Sequence, residues 1–266
     1  MAAERIILQQ IASLPRYAML GHELHAISQD QLLGYISGAI AQSNRLRICH
    51  LNLHGVRVAQ QSDSFRQMIS QADLLYIDGM PLIWTGRLLG YPLSREHRIT
   101  GIDWLPPVLK QANAQRWKVF LLGHHPQVLP RIRAYVQERY PQIQFDAHDG
   151  YFAPAENHRV AEQINQFSPD LLILGMGMPR QENWLGENHD RLQFKVAVCV
   201  GATFDYFVNA IPTPPRWTGK LGLEWLYRLI SEPRRLASRY LVEPWFLIPS
   251  LMRDFKRVYL SRSKQQ

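Results

Sequence analysis

Residues 171–184 read LLILGMGMPRQENW. The first four residues are apolar with no polar alternation, which is typical of a β-strand covered on both faces. The glycines at 175 and 177 end the apolar run, and Pro179 suits the first turn of a following helix. A buried strand that passes through a short glycine loop into a helix is the repeating unit of an α/β protein with a parallel sheet.

The same alternation recurs between residues 46 and 200. The predicted strands lie at residues 46–53, 74–77, 118–122, 143–147, 171–174 and 195–200. The predicted helices lie near residues 55–71, 80–89, 102–114, 126–139, 155–167 and 180–189. We therefore predict an α/β, Rossmann-like fold in which a mostly parallel sheet is flanked by helices.

Basic charge is concentrated in the last fifth of the chain. The protein has 266 residues and a formal net charge of +8, and residues 212–266 hold eleven Lys or Arg against four Asp or Glu. The sequence Pro212-Thr-Pro-Pro215 separates this segment from the alternating part. We predict a catalytic α/β domain over residues 1–211 and a basic, amphipathic, helical C-terminal appendage over residues 212–266.

The composition favours a globular protein of a reducing compartment. A hydrophobic content of 46% with 20% charged residues argues against disorder. The two cysteines each lie in an apolar run, which argues against a disulfide framework. The first residues lack the pattern of a signal peptide, and no apolar stretch reaches the roughly 18 residues of a membrane span. We expect a cytoplasmic protein.

Open parallel sheets bind ligands beyond the carboxyl ends of their strands, so the loops at that edge are the candidate site. Asp78 directly follows the predicted strand 74–77 and precedes Gly79. A carboxylate at that position can act as a general base toward a hydroxyl group. Asp-Gly is also ordinary turn chemistry, and the residues alone leave both interpretations open.

The loop after strand 171–174 is a second candidate. Gly175 and Gly177 match half of a dinucleotide-binding fingerprint, but no third glycine follows at the required spacing. A helix that begins near Pro179 would offer free N–H groups to a phosphate or sugar oxygen. Gln181 and Glu182 would then face the crevice from the first turn, although a capped surface helix fits the same pattern.

The chain shows no pattern typical of a metal site. It contains no Asp-x-Asp sequence, and its two histidine pairs, at 50/54 and 124/125, lack metal-ligand spacing. We therefore expect neither a metal nor another cofactor. Without a metal, helix N-termini and arginines would have to stabilise the charge on a leaving group.

The tail interleaves cations with aromatic residues. Arg228, Arg234, Arg235 and Arg239 alternate with aromatic residues at 225, 227, 240 and 245, and apolar residues recur there at helical spacing. Such a segment suits an anionic membrane surface. It also suits simple packing of an amphipathic helix on the body, or a nucleic-acid-binding surface.

Taken together, these segments resemble the WecG/TagA/CpsF glycosyltransferases (glycosyltransferase family 26) over about residues 46–240. Each motif is weak alone, but their order and spacing are specific. In chain order the motifs are Asn52, Ala72-Asp73, Asp78-Gly79, Arg98-x-x-Gly101-x-Asp103, Gly150-Tyr-Phe152, Gly177-x-Pro-x-Gln-Glu-x-Trp184, Gly201-Ala-x-Phe-Asp205, Pro215-x-Trp217, Gly222-Leu-Glu-Trp-Leu-Tyr-Arg228 and Glu232-Pro-x-Arg235.

The resemblance implies an inverting, metal-independent enzyme of cell-surface polysaccharide synthesis, peripheral on the inner face of the membrane. Its substrates would be a UDP-sugar donor and a polyprenyl-diphosphate-linked sugar acceptor, with no nucleic acid as partner. Asp78 matches the proposed general base, and Asn52 matches a polar residue near it. The other implied substrate-binding residues are His50, Arg98, Asp103, Gly123, Gln181, Glu182, Asp205, Arg228, Arg235 and Arg239.

Three departures from the family pattern concern the donor. His50 stands where threonine is frequent, Thr213-Pro-Pro215 replaces Arg-Ala-Pro, and Gly123-His-His-Pro126 replaces a glycine-rich loop. N-acetylmannosamine, its uronic acid and glucose all stay open as donor sugars. Outside this family, the alternatives are an NAD-type Rossmann oxidoreductase and a basic nucleic-acid-binding protein.

Overall fold

A twisted eight-stranded sheet organises the chain, in the order β1-β2-β4-β3-β8-β7-β5-β6. The computed structural model describes residues 6–215, 217–218 and 223–262, except for the side chains at 224, 235 and 260–262. The strands are β1 Arg16–Met19, β2 His22–His25, β3 Leu46–Leu51, β4 Leu74–Ile77, β5 Lys118–Gly123, β6 Gln144–His148, β7 Leu171–Gly175 and β8 Val196–Cys199. Only the β1–β2 pair is antiparallel among the described strand pairs, which confirms the predicted α/β class.

Helices cover both faces of the sheet. Those of the body are α1 Ile6–Ala12, α2 Gln29–Ala41, α3 Leu53–Gln61, α4 Asp63–Ser70, α5 Met80–Leu88, α6 Gly101–Gln115, α7 Leu129–Arg139, α8 Asn157–Phe167, α9 Arg180–Asn188 and α10 Thr203–Phe207. Short 3₁₀ turns lie at Arg95–His97 and Pro154–Glu156. The tail contains α11 Glu224–Ser231, α12 Pro233–Ala237, a π-helical turn Ser238–Val242, a 3₁₀ turn Glu243–Leu247 and α13 Ile248–Arg262.

The apolar strand runs explain the two helical layers. Successive side chains of a strand point to opposite faces, so Leu171 and Ile173 enter one core, while Leu172 and Leu174 enter the other. The first core lies under α2 and α6, and the second under α3, α4 and α9. Because helices cover both faces of such a strand, both sets of its side chains must be apolar.

The structure departs from the predicted elements at three points. The helix expected at 55–71 is two helices, because Ser62 ends α3 and its hydroxyl accepts the Phe65 N–H at 3.2 Å to cap α4. Helix α9 begins at Arg180, so Pro179 lies just before the helix instead of in its first turn. The β1–β2 hairpin with α1 and α2 was not predicted, because its strands of four residues carry charged and polar side chains.

The described part of the tail packs against the body. Leu247 is buried in the core under α3, and Leu251 packs beside it. The buried Asp254 carboxylate accepts the N–H of Leu20, and Arg257 donates to the carbonyl of Ala18 at 2.8 Å. Within the described ranges, no helix is long and apolar enough to cross a membrane.

Candidate active site

Two adjoining cavities open at the carboxyl edge of the sheet. The first, of about 330 Å³, we call the polar cavity; it is lined by His50, Asn52, His54, Tyr76, Asp78, Thr100, Gly101, Ile102, Gly177, Met178, Gln181, Val200, Gly201, Ala202, Thr203, Tyr206, Arg228, Leu236, Arg239 and Tyr240. The second, of about 460 Å³, we call the apolar cavity; it is lined by Asn52, Leu53, His54, Asp78, Gly79, Met80, Pro81, Trp84, Thr100, Leu223, Trp225, Arg228, Arg239, Tyr240 and Pro244.

Asp78 lies where the two cavities meet. It follows β4, and its backbone N–H donates to the carbonyl of Leu51 on the neighbouring strand at 2.9 Å. Its side chain is one-quarter exposed, so the carboxylate is open to a ligand. The structure therefore has Asp78 at the carboxyl end of a strand, as predicted.

Asn52 fixes the carboxylate of Asp78. The Asn52 Oδ1 atom accepts the N–H of Gly55 at 2.9 Å and so caps the first turn of α3. The other end of the same amide is thereby aimed at Asp78, where Nδ2 donates to Oδ2 at 3.2 Å. One side chain both starts a helix and orients the candidate base.

His50 faces the same carboxylate from β3. Its Nδ1 lies 3.1 Å from the carbonyl oxygen of Cys199, and because a carbonyl only accepts, Nδ1 must carry the hydrogen. Its Nε2 lies 4.0 Å from Oδ2 of Asp78. A neutral His50 therefore presents a lone pair toward Asp78, and a protonated His50 presents a positive charge.

Gln181 joins two loops of the polar cavity. Its Oε1 accepts the N–H of Gly177 at 3.2 Å and the N–H of Gly201 at 3.0 Å. Both glycines have positive φ, at 79° and 58°, a conformation that a side chain would strain. The Gln181 side chain is fully buried, so its observed bonds are to the protein itself.

Glu182 lies beneath the site instead of in it. It is fully buried and lines neither cavity. Its Oε1 accepts from Gln181 at 2.7 Å, and Oε2 has no hydrogen-bond partner among the residues described. Burial raises the pKa of the Glu182 carboxyl above its usual range. The role of Glu182 in binding substrate stays a prediction, because Glu182 lines neither cavity.

The tail supplies cations to both cavities. Arg228 and Arg239 line the polar and the apolar cavity alike, and the Arg228 guanidinium lies 5.1 Å from the centre of the Tyr206 ring. His54 Nδ1 bonds Glu243 of the tail at 2.7 Å. Burial and the charge of Arg239 lower the pKa of His54. Arg235 was predicted to bind substrate, but its side chain is not among those that the structure describes.

Besides Glu182, four predicted binding residues line neither cavity and instead brace the loops around them. Arg98 pairs with Asp103 at 3.2 Å, and the Thr100 hydroxyl donates to the same carboxylate at 2.8 Å. Asp205 bonds Nδ1 of the buried His124 at 2.8 Å. Gly123 has φ of 146°, and a Cβ there would lie 2.4 Å from the carbonyl carbon of Gly175.

Several cavity residues were missed from the sequence. Tyr76 is buried with its hydroxyl accepting from Trp104 at 3.1 Å, and burial followed by the charge of Asp78 holds its pKa well above the usual range. Trp84 and Thr203 also line the cavities. The sequence could have indicated Tyr76 and Thr203, because both lie close to the carboxyl ends of parallel strands, where such sheets bind ligands.

The described residues contain no group of three or more His, Cys, Asp or Glu side chains arranged to hold a metal ion. The polar cavity presents the side chains of Arg228, Arg239, Asp78, His50 and His54. Arginine is well suited to phosphate because its planar fork donates two parallel hydrogen bonds.

The sequence matches a known protein family and several named proteins. A sequence model described as the Glycosyl transferase WecG/TagA/CpsF family matches residues 17–260. An N-acetylglucosaminyldiphosphoundecaprenol N-acetyl-beta-D-mannosaminyltransferase of Staphylococcus aureus (strain MRSA252) is 34% identical over 195 residues, covering 73% of this chain and 76% of that protein. Proteins of the same name from strains MW2 and NCTC 8325 / PS 47 are each 33% identical over the same shares of both chains.

Proposed function

This chain belongs to the WecG/TagA/CpsF family and is a glycosyltransferase, and we propose that it moves N-acetylmannosamine from a UDP-linked donor to a polyprenyl-diphosphate-linked sugar. The names of its relatives support this choice of sugar and of a lipid-diphosphate acceptor. The family also removes the reason for considering a dehydrogenase or a nucleic-acid-binding protein. The uronic acid of N-acetylmannosamine and glucose are the donors to compare with it.

The observation that carries the proposal is the location of Asp78 between two cavities of different character. An acceptor hydroxyl held beside the carboxylate loses its proton to Asp78 as its oxygen attacks the anomeric carbon. The bond between that carbon and the diphosphate oxygen breaks on the opposite side, and its electron pair leaves with UDP. A single displacement of this kind inverts the anomeric configuration.

The leaving group needs compensation for its growing negative charge. Arg228 and Arg239 line both cavities, and we assign them this role without a metal ion. Both arginines come from the tail, so the tail completes the site. Removal of the chain from Trp217 onward is expected to abolish turnover even if the α/β body stays folded.

The tail also supports peripheral attachment to the inner face of the cell membrane. Trp245 is 70% exposed and Phe246 is 50% exposed, while the next residue, Leu247, is buried in the core. Aromatic side chains and nearby cations are the combination that favours an anionic lipid surface. Co-sedimentation with vesicles that contain anionic lipid should fall in the Trp245→Ser variant and with added salt.

The decisive experiment measures UDP release from a panel of UDP-sugars, with and without a polyprenyl-diphosphate-linked N-acetylglucosamine. We expect acceptor-dependent release with one donor. The Asp78→Asn variant should lose about 10²–10⁴-fold in kcat, and Asp63→Asn, at a side chain that is 89% exposed, is the matched control. Near-normal turnover by Asp78→Asn would refute the assignment of the base.

A further inference from the structure

A second apolar face on α5 leads away from Asp78. The helix begins at Met80, and Met80, Trp84 and Leu88 share one face because they are four residues apart. Trp84 is 47% exposed and Leu88 is 57% exposed. Eight residues of helix span about 12 Å, so this face reaches from the candidate base to the protein surface.

Packing of the core accounts for Met80, which lies partly buried against the second core, but not for the exposed Trp84 and Leu88. The opposite side of α5 already enters the core through Leu82 and Ile83, which are fully buried. A single exposed apolar residue would be unremarkable, but here the row continues into the apolar cavity, where Met80 and Trp84 form part of the wall. Leu53 of the body and, from the tail, Leu223 and Trp225 add to the apolar wall.

We propose that the apolar cavity and the Met80–Trp84–Leu88 face bind the isoprenyl segment of the acceptor next to its diphosphate. This inference rests on the proposed function and names the wall along which the lipid leaves the site. Charge complementarity supports this occupant: Arg228 and Arg239 line both cavities, so the guanidinium groups assigned to the leaving diphosphate also face the apolar cavity, where they suit the lipid diphosphate. The apolar row beyond them suits the hydrocarbon that follows a lipid diphosphate.

The consequence is a dependence of KM on the length of the lipid. We expect the wild-type enzyme to bind an N-acetylglucosaminyl diphosphate carrying three isoprene units at least tenfold more tightly than the same compound carrying a methyl group. Trp84→Ala and Leu88→Ser should each raise KM for the three-isoprene acceptor, by about tenfold for Trp84→Ala, with little change in kcat. In each variant the ratio of KM for the methyl acceptor to KM for the three-isoprene acceptor should therefore fall.

The experiment uses these two water-soluble acceptors without any bilayer or micelle, so membrane attachment cannot produce the difference. Ile6→Ser is the control, because Ile6 is a 45% exposed apolar residue on α1 that lines neither cavity. Leu88→Ser keeps the test valid if Trp84→Ala fails to fold, since more than half of Leu88 is already in solvent.

Equal wild-type KM values for the two acceptors would overturn the inference while leaving the proposed function intact. Absence of UDP release with both acceptors and with every donor would instead refute the proposed function. Sedimentation equilibrium of the wild type and of Leu88→Ser tests whether a second copy of the chain occupies this face instead. If the wild type is a dimer that Leu88→Ser dissociates, the face is covered by a second copy of the chain and the isoprenyl assignment is wrong.

Discussion

Asn52 allows the stability of the fold and the chemistry of the site to be separated at one residue. Its Oδ1 caps α3 through Gly55, and its Nδ2 holds Asp78. Asn52→Asp keeps an acceptor for the cap but replaces the donor with a second negative charge. Asn52→Ala removes both bonds and adds no charge.

The two variants separate the helix cap from the charge beside Asp78. Asp is as good an N-cap as Asn, so the cap itself should change by less than about 0.5 kcal/mol in Asn52→Asp, whereas Asn52→Ala should lose about 0.5–2 kcal/mol. Any further loss of stability in Asn52→Asp comes from repulsion between the two carboxylates, and it should vanish below about pH 4, where both are protonated. Two unit charges 3.2 Å apart repel by roughly 5 kcal/mol at an effective dielectric constant of about 20. Water at the partly exposed Asp78 reduces this repulsion, and the pair relieves the remainder by holding one proton.

We therefore expect the acid limb of the pH dependence of kcat/KM to move upward by about two pH units in Asn52→Asp. Asn52→Ala removes only a hydrogen bond to the carboxylate and adds no charge, so its acid limb should move upward by less than that of Asn52→Asp, with a smaller loss of kcat/KM at pH 6. Urea unfolding and UDP release between pH 5 and 9 measure the two quantities on the same preparations. An unchanged pH profile in Asn52→Asp would show that the Asp78 carboxylate is not the base.

Three further predictions concern the support of the site. Burial raises the pKa of Glu182, so the unfolding free energy of the wild type should decrease as the pH rises from about 4.5. In urea titrations Glu182→Gln should therefore gain stability relative to the wild type between pH 5 and 8. A stability difference that does not vary with pH would contradict this. Leu247→Ala should cost about 2–5 kcal/mol in chemical unfolding, whereas a loss below about 0.5 kcal/mol would mean that the tail is not part of the core. Gly123→Ala should yield a strongly destabilised protein by thermal unfolding, because its Cβ has no room beside Gly175; a wild-type Tm would refute the close approach of these loops.

The parallel sheet could be predicted because its central strands, such as β7 and β8, are apolar at every position and are separated from neighbouring strands by helices. The rule that ligands bind beyond the carboxyl ends of such strands then selected Asp78 and Asn52, and both line the two cavities. The family resemblance implied that Arg228 and Arg239 belong to the site, whereas the sequence pattern alone left them to a membrane surface, to packing on the body or to a nucleic-acid-binding surface. Their approach to the cavities depends on the docking of the tail, a contact between segments far apart in the chain.

Other features had no local signal. Gln181 lies in the predicted first turn of a helix, but its bond to Gly201 depends on the adjacency of β7 and β8. The same holds for the burial of Glu182, which the sequence pattern placed either facing the crevice or on a capped surface helix. The β1–β2 hairpin was missed because its short strands resemble polar loops, and their pairing is stabilised by contact with the rest of the sheet.

The central location of β8 affects how the protein can be made. The strands encoded up to residue 77 form one side of the sheet, those at residues 118–175 form the other, and β8 lies between β3 and β7. A nascent chain that has not yet reached residue 199 therefore carries two partial sheets, each with an unpaired edge. Such edges readily pair with other chains. We expect ribosome-bound intermediates of this length to require chaperone protection, and a premature stop just before β8 to give aggregated protein.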